Sequence, residues 1–157
     1  MRNFLMTILL ATSLNVAAQD STYSVNSYLN EGMKAPNTHH IGDAWLNFLT
    51  QADEDFTYNI TQAKFAANAT LDWHKHSTPQ VLIVTEGTGY YQEKGKEAIK
   101  IKKGDVIKCD KDVEHWHTSS ANSMVSYIAI YGSSPTVWTE KLTLDYYNKI
   151  ARQLGDK

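Results

Sequence analysis

The sequence predicts an all-β fold, a barrel or a sandwich, closed by one short helix at its C-terminal end. Two observations carry this. From about His40 onward, short β-branched and aromatic runs alternate with turn residues at close intervals, and only beyond Pro135 does helical spacing emerge. The predicted strands are Ala44 to Leu49, Thr57 to Ala66, Gln80 to Thr85, Gly89 to Glu93, Ala98 to Ile101, Asp105 to Cys109 and Met124 to Tyr131. Gly87, Gly89, Gly95 and Gly104 fall between runs and predict hairpins, where glycine supplies positive φ or tight reversal. Near the end, Thr143 caps a segment whose Leu144, Tyr147, Ile150 and Ala151 recur at helical spacing.

With 157 residues, 42% hydrophobic and 20% charged, the chain supports one core and not two. Its 15 basic and 17 acidic residues leave a net charge of -2 with no basic stripe, which argues against a nucleic-acid partner. The organisation reads as a signal peptide over residues 1–18, an N-terminal arm over 19–39 and a β domain over 40–157. Arg2 precedes an apolar stretch from Phe4 to Leu14, and Val16-Ala17-Ala18 has the small residues of a cleavage site. That stretch is well short of the roughly 20 residues that span a bilayer. The expected mature protein is therefore periplasmic or secreted, with no membrane association. Cys109, the single cysteine, cannot form an intrachain disulfide; in its strand-like run it reads as a buried small hydrophobe.

Alternate residues on a strand share a face, so His74 and His76 project together while Trp73 and Lys75 point away. Gln80 follows His76 by four residues, past Pro79, and shares the face if the strand direction survives that bend. A second alternating pair, His115 and His117, lies on another strand. Two such pairs can meet across a barrel interior around one ion.

These residues resemble the cupin superfamily. The first cupin motif runs Gly, five residues, His-x-His, three or four residues, Glu, six residues, Gly. His74, His76, Gln80 and Gly87 keep that spacing, with Gln in place of Glu and Asn68 in place of the leading Gly. Of the second motif, Gly104 and His115 match, while Asp110 and Asp112 replace its Pro and Gly. The resemblance implies a single jelly-roll β-barrel, with His74, His76, Gln80 and His115 as ligands to one divalent metal ion. It also implies a homodimer paired through N-terminal strands.

Within the superfamily the chain is similar to a small bacterial group with a glutamine ligand that includes manganese-dependent hydroxynitrile lyases. Trp73 to His76, Leu82 to Thr85, Glu114 to His117, Ile128 to Ile130 and Trp138 to Glu140 carry this similarity. It favours Mn(II), with Fe(II), Ni(II) or Zn(II) as alternatives, and implies that Thr61, Ala63 and Phe65 line the cavity and that His117 stands near the metal. Two positions depart. Tyr127 occupies the place of a substrate-handling histidine and Tyr131 that of a polar amide. A phenol, with an ordinary pKa of about 10, is a poor base at neutral pH, which argues against cyanohydrin cleavage.

Four neutral ligands leave the ion's charge uncancelled, so it would act as a strong Lewis acid. The expected function is a metal-dependent lyase, isomerase or hydrolase acting on a small carbonyl, sugar-acid or cyanohydrin substrate. His117 and Tyr127 are its candidate catalytic residues, and Thr61, Ala63, Phe65 and Tyr131 its candidate substrate contacts. The alternatives are a cupin dioxygenase and a non-catalytic binding protein. Asp72 shares parity with His74 and reads as a solvated residue at the strand start, or else as a general base at the cavity mouth. His39 and His40 have no companion ligands in the sequence and read as surface residues. Trp73 and Trp116 should pack outside the barrel interior, against its other layer or a partner subunit.

Overall fold

The structure, a computed structural model, describes residues 24–156; the signal peptide expected over 1–18 lies outside the described residues. The elements are β1 (Met33–Lys34), β2 (Ala44–Thr50), β3 (Tyr58–Phe65), β4 (Trp73–Lys75), β5 (Gln80–Glu93), β6 (Ile99–Lys102), β7 (Val106–Cys109), β8 (His115–Ser119), β9 (Val125–Gly132), β10 (Val137–Glu140) and α1 (Leu144–Gln153). All strand pairs are antiparallel, in the order β1-β2-β3-β9-β5-β8-β4-β10, with β6 and β7 also pairing with β5. The result is mostly β: a curled antiparallel sheet with one C-terminal helix, as the sequence predicts.

One strand joins the two halves. Residues 80–87 of β5 pair with β9 and β7, and residues 88–93 pair with β8 and β6. The turn is made by a register shift between Val84 and Glu86 and by Gly87 at φ +71°. Gly87 and Gly89 therefore do not mark hairpins: both lie inside β5. Glycine is needed at the first because a Cβ would overlap the Met124 carbonyl oxygen, and at the second because it would overlap that of Thr118. The turn glycines Gly95 and Gly104 do have positive φ, in open space.

Residues 24–43 run along the barrel. β1 pairs with β2, and the chain then bonds to the segment before β4 through Asp72 N to His39 O and Thr70 N to Ile41 O, both 2.9 Å.

Two cores result. The barrel interior buries Phe65, Leu82, Val84, Cys109, Val125, Tyr127 and Ala129. Outside the barrel wall, Trp73, Tyr90 and Trp116 pack under Leu142, Tyr147, Ile150 and Ala151. The two tryptophans do point away from the interior, and the cover they meet is α1 of the same chain. The Thr143 side chain accepts the Tyr146 amide at the helix start, filling the N-cap role. Past the helix, the Asp156 carboxylate accepts from Tyr90 Oη and from Lys100 Nζ, which fastens the chain end to the sheet.

Candidate metal centre

The site lies inside the barrel where β4, β5 and β8 approach one another. His74 stands directly opposite His115 across the β4–β8 pair, their ring centroids 4.5 Å apart. Strand parity places His117 on the same face as His115 and His76 on the same face as His74. Ring centroids lie 5.1 Å apart for His74 and His117 and 5.2 Å apart for His74 and His76. Gln80 opens β5 with its side chain buried, so the bend at Pro79 preserves the shared face. All five side chains are 6% exposed or less. One ring nitrogen each from His74, His115 and His117 lies within 4.8 Å of the other two.

The backbone fixes two tautomers. Nδ1 of His74 lies 2.8 Å from Asp72 O, and Nδ1 of His115 lies 2.8 Å from Val113 O. A carbonyl only accepts, so each Nδ1 carries the proton and each Nε2 is left with a lone pair. His76 Nδ1 approaches Thr136 Oγ1 at 3.5 Å. His117 differs, since its Nδ1 lies 2.7 Å from the Tyr127 hydroxyl, a group able to donate or accept.

Burial keeps this cluster neutral. Desolvation, reinforced by His115 and only partly opposed by the Asp72 carbonyl, pulls His74 down to about 3. His76 falls to about 4 through burial and then the charge of His115. Burial also lowers His115, and it lowers His117 well below the usual imidazole value. It raises the Tyr127 phenol well above its ordinary value, so that hydroxyl keeps its proton.

Four buried atoms of this cluster have no hydrogen-bond partner among the described residues, namely Nε2 of His76, His115 and His117 and Oε1 of Gln80; Nε2 of His40, at the cavity wall, is a fifth. Each unpartnered polar atom in an interior costs about 1–3 kcal/mol, and native folds seldom leave several together. A divalent cation suits this donor set, because neutral imidazole nitrogen and amide oxygen are both metal ligands. The buried cluster of His74, His115 and His117, with His76 and Gln80 beside it, is thus a candidate metal site.

Above it opens a cavity of about 280 Å³. Thr61, Ala63 and Phe65 line it from β3, and Tyr127, Ala129 and Tyr131 from β9. Thr61 Oγ1 and Tyr131 Oη lie 3.1 Å apart, so the residues proposed from sequence as substrate contacts share one wall. His39, His40, Thr136 and Trp138 also line this cavity. Sequence placed the two histidines on the surface; the backbone bonds to residues 70–72 bring them inward. Asp72 is 9% exposed, and its Oδ1 accepts the Leu142 amide at 3.0 Å, so it is no solvated strand end. It is not among the cavity-lining residues either.

The replaced motif glycines are explained by the backbone. Asn68 and Asp112 both adopt φ +62°, the left-handed conformation that Asn and Asp tolerate best after glycine. The turns of both motifs are preserved, and Asp112 N donates to His76 O at 2.7 Å.

Comparison with known proteins agrees with this architecture. The cupin domain model matches residues 62–131, which include all five site residues. The chain is 28% identical over 119 residues to an (R)-mandelonitrile lyase from Granulicella tundricola, covering 74% of this chain and 91% of that protein. A crystal structure of a cupin-like protein from Thermotoga maritima superposes with a TM-score of 0.74 at 32% identity, covering 80% of this chain and 97% of the other. A second Thermotoga maritima structure, of a predicted oxalate decarboxylase, shares the fold at a TM-score of 0.62 and 19% identity, with 70% and 98% coverage. With 32% identity to a cupin-like protein covered almost end to end and the cupin domain model matched over the barrel, this chain belongs to the cupin family.

Proposed function

We propose that this protein is an exported, metal-dependent enzyme that acts on a small carbonyl or cyanohydrin-type compound by Lewis-acid activation, as a lyase or isomerase. The carrying observation is the orphaned Nε2 of His76 and His115 and Oε1 of Gln80, beside a cavity with mainly apolar walls. In this reading His74, His76, Gln80 and His115 hold one divalent ion, Mn(II) by similarity, which would supply positive charge to a substrate oxygen.

The chain's own residues orient and protect the substrate. The Thr61 and Tyr131 hydroxyls offer hydrogen bonds to a polar substituent, while Ala63, Phe65 and Ala129 exclude water. Tyr127, held protonated, can donate to His117 Nδ1, which leaves Nε2–H of His117 available to an oxyanion. No Lys, Arg, Asp or Glu lies among the described residues lining the cavity. With mainly apolar walls, that favours compact carbonyl and cyanohydrin substrates, whose one polar centre the ion can meet, over sugar acids, whose many hydroxyls would face apolar side chains. The mandelonitrile lyase relative supports the same direction. We propose a periplasmic or secreted homodimer.

Elemental analysis of the purified protein, followed by turnover assays on carbonyl compounds, cyanohydrins and unsaturated sugar acids, tests this reading. The expected result is one ion per chain and turnover that disappears in the metal-free protein. Equal inertness of the loaded and metal-free forms across all three classes would leave a binding protein in its place.

A further inference from the structure

We infer that His39, oriented by Asp72, is the proton-handling group of the cavity. The inference rests on the enzyme reading above. Three contacts fix this histidine, and none of them is local in sequence. Its carbonyl accepts the Asp72 amide at 2.9 Å, its Nδ1 lies 3.4 Å from Asp72 Oδ2, and its ring lies flat on Trp138 at 4.1 Å and 9°. The same indole packs against His74 at 5.2 Å, so one side chain sets the position of both rings.

Asp72 is itself immobilised. Oδ1 accepts from Leu142 N, which leaves Oδ2 for the imidazole. An acceptor-only carboxylate beside Nδ1 puts the proton there and leaves the Nε2 lone pair free, the same logic by which the aspartate of a serine-protease triad orients its histidine. Among the described residues nothing hydrogen-bonds His39 Nε2, and the ring lines the cavity with 39% of its side chain exposed. A half-exposed imidazole can exchange its proton with water between turnovers, which the sealed His117 cannot do directly.

The step is a reversible elimination. The hydroxyl proton of the substrate passes to His39 Nε2, and the O–H electron pair closes the carbonyl. The pair of the adjacent carbon–X bond leaves with X, and X⁻ then takes the proton back as HX. No atom is oxidised or reduced, and the imidazolium formed meanwhile faces the Asp72 carboxylate.

Wild type, His39→Gln and Asp72→Asn provide the test, with metal content, nitrogen-15 NMR of the zinc-loaded proteins and turnover of mandelonitrile, or of whichever hydroxy or carbonyl compound the wild type accepts. Equal metal content is expected in all three, with an Nδ1–H tautomer for His39 in the wild type. Asp72→Asn should switch it to Nε2–H, since an amide N–H would then face Nδ1. Turnover should fall about 10²–10⁴-fold in both variants with little change in KM, and imidazole should restore part of it to His39→Gly. Wild-type turnover in His39→Gln, loss of its metal, or an Nε2–H tautomer in the wild type would overturn the role of His39 and leave the enzyme reading intact. A wild type that turns over nothing overturns the enzyme reading and the role of His39 with it.

Discussion

The Tyr127 hydroxyl stands 2.7 Å from Nδ1 of His117, and both side chains are sealed inside the barrel. This contact bears on the state of His117, which, like His76, has no backbone carbonyl to fix its tautomer. Removing it with Tyr127→Phe leaves His117 Nδ1 without a partner. The expected cost is about 1–3 kcal/mol, read as a lowered urea midpoint, with metal content unchanged because the backbone still orients His74 and His115.

Metal retention should divide the site residues. His74→Ala, His76→Ala, Gln80→Ala and His115→Ala are expected to lose the ion. His117→Ala is expected to keep it and lose activity. Elemental analysis of the five variants checks this. The opposite behaviour of His76 and His117 would move the ligand set to His74, His115 and His117, whose nitrogens lie within 4.8 Å of one another.

The metal-free protein should be acid-labile from near neutrality. In the folded state His74 is held at about 3 and His76 at about 4, and burial also depresses His115 and His117. An unfolded histidine titrates at about 6.5. As pH falls below that value the unfolded chain takes up protons that the folded chain refuses, so stability drops until the folded values are reached. Urea unfolding at about pH 8, 6 and 4 should show most of the loss between the last two. A bound ion should delay the loss and dissociate as the imidazoles protonate.

Gly87→Ala and Gly95→Ala form a controlled pair. Both positions have positive φ, which costs an alanine about 1–2 kcal/mol. Only at position 87 does the new methyl also overlap a neighbour, the Met124 carbonyl. Gly95→Ala should fold with a modestly lowered Tm, whereas Gly87→Ala should be far less stable or fail to fold. Parallel thermal melts decide.

Much of this was legible locally. Alternation located the paired histidines, and the spacing of Thr143, Tyr147 and Ile150 located the helix. What stayed hidden depends on partners far along the chain. Gly87 looks like a turn in sequence, but whether β5 ends or bends there depends on β9, β8, β6 and β7 all pairing with it. β10 is not legible in the sequence because its four residues are all exposed and, among the described residues, pair only with β4. His39 follows a polar stretch with no period, and its partners, Asp72 and Trp138, lie far along the chain. Asn68 and Asp112 looked like defects in the motifs until their backbone angles showed the turns intact.

The helix has a consequence for the metal site. Trp73 and Trp116 are the immediate chain neighbours of His74 and His115, and they face the opposite side of the same strands, where they pack in one cluster with Tyr147, Ile150 and Ala151 of α1. The wall between the outer packing and the cluster is therefore one residue thick. A tag or ligand that lifted the C-terminal helix would slacken the seat of both histidines without touching the cavity, so the outer face of the barrel offers a remote handle on the grip of the ion.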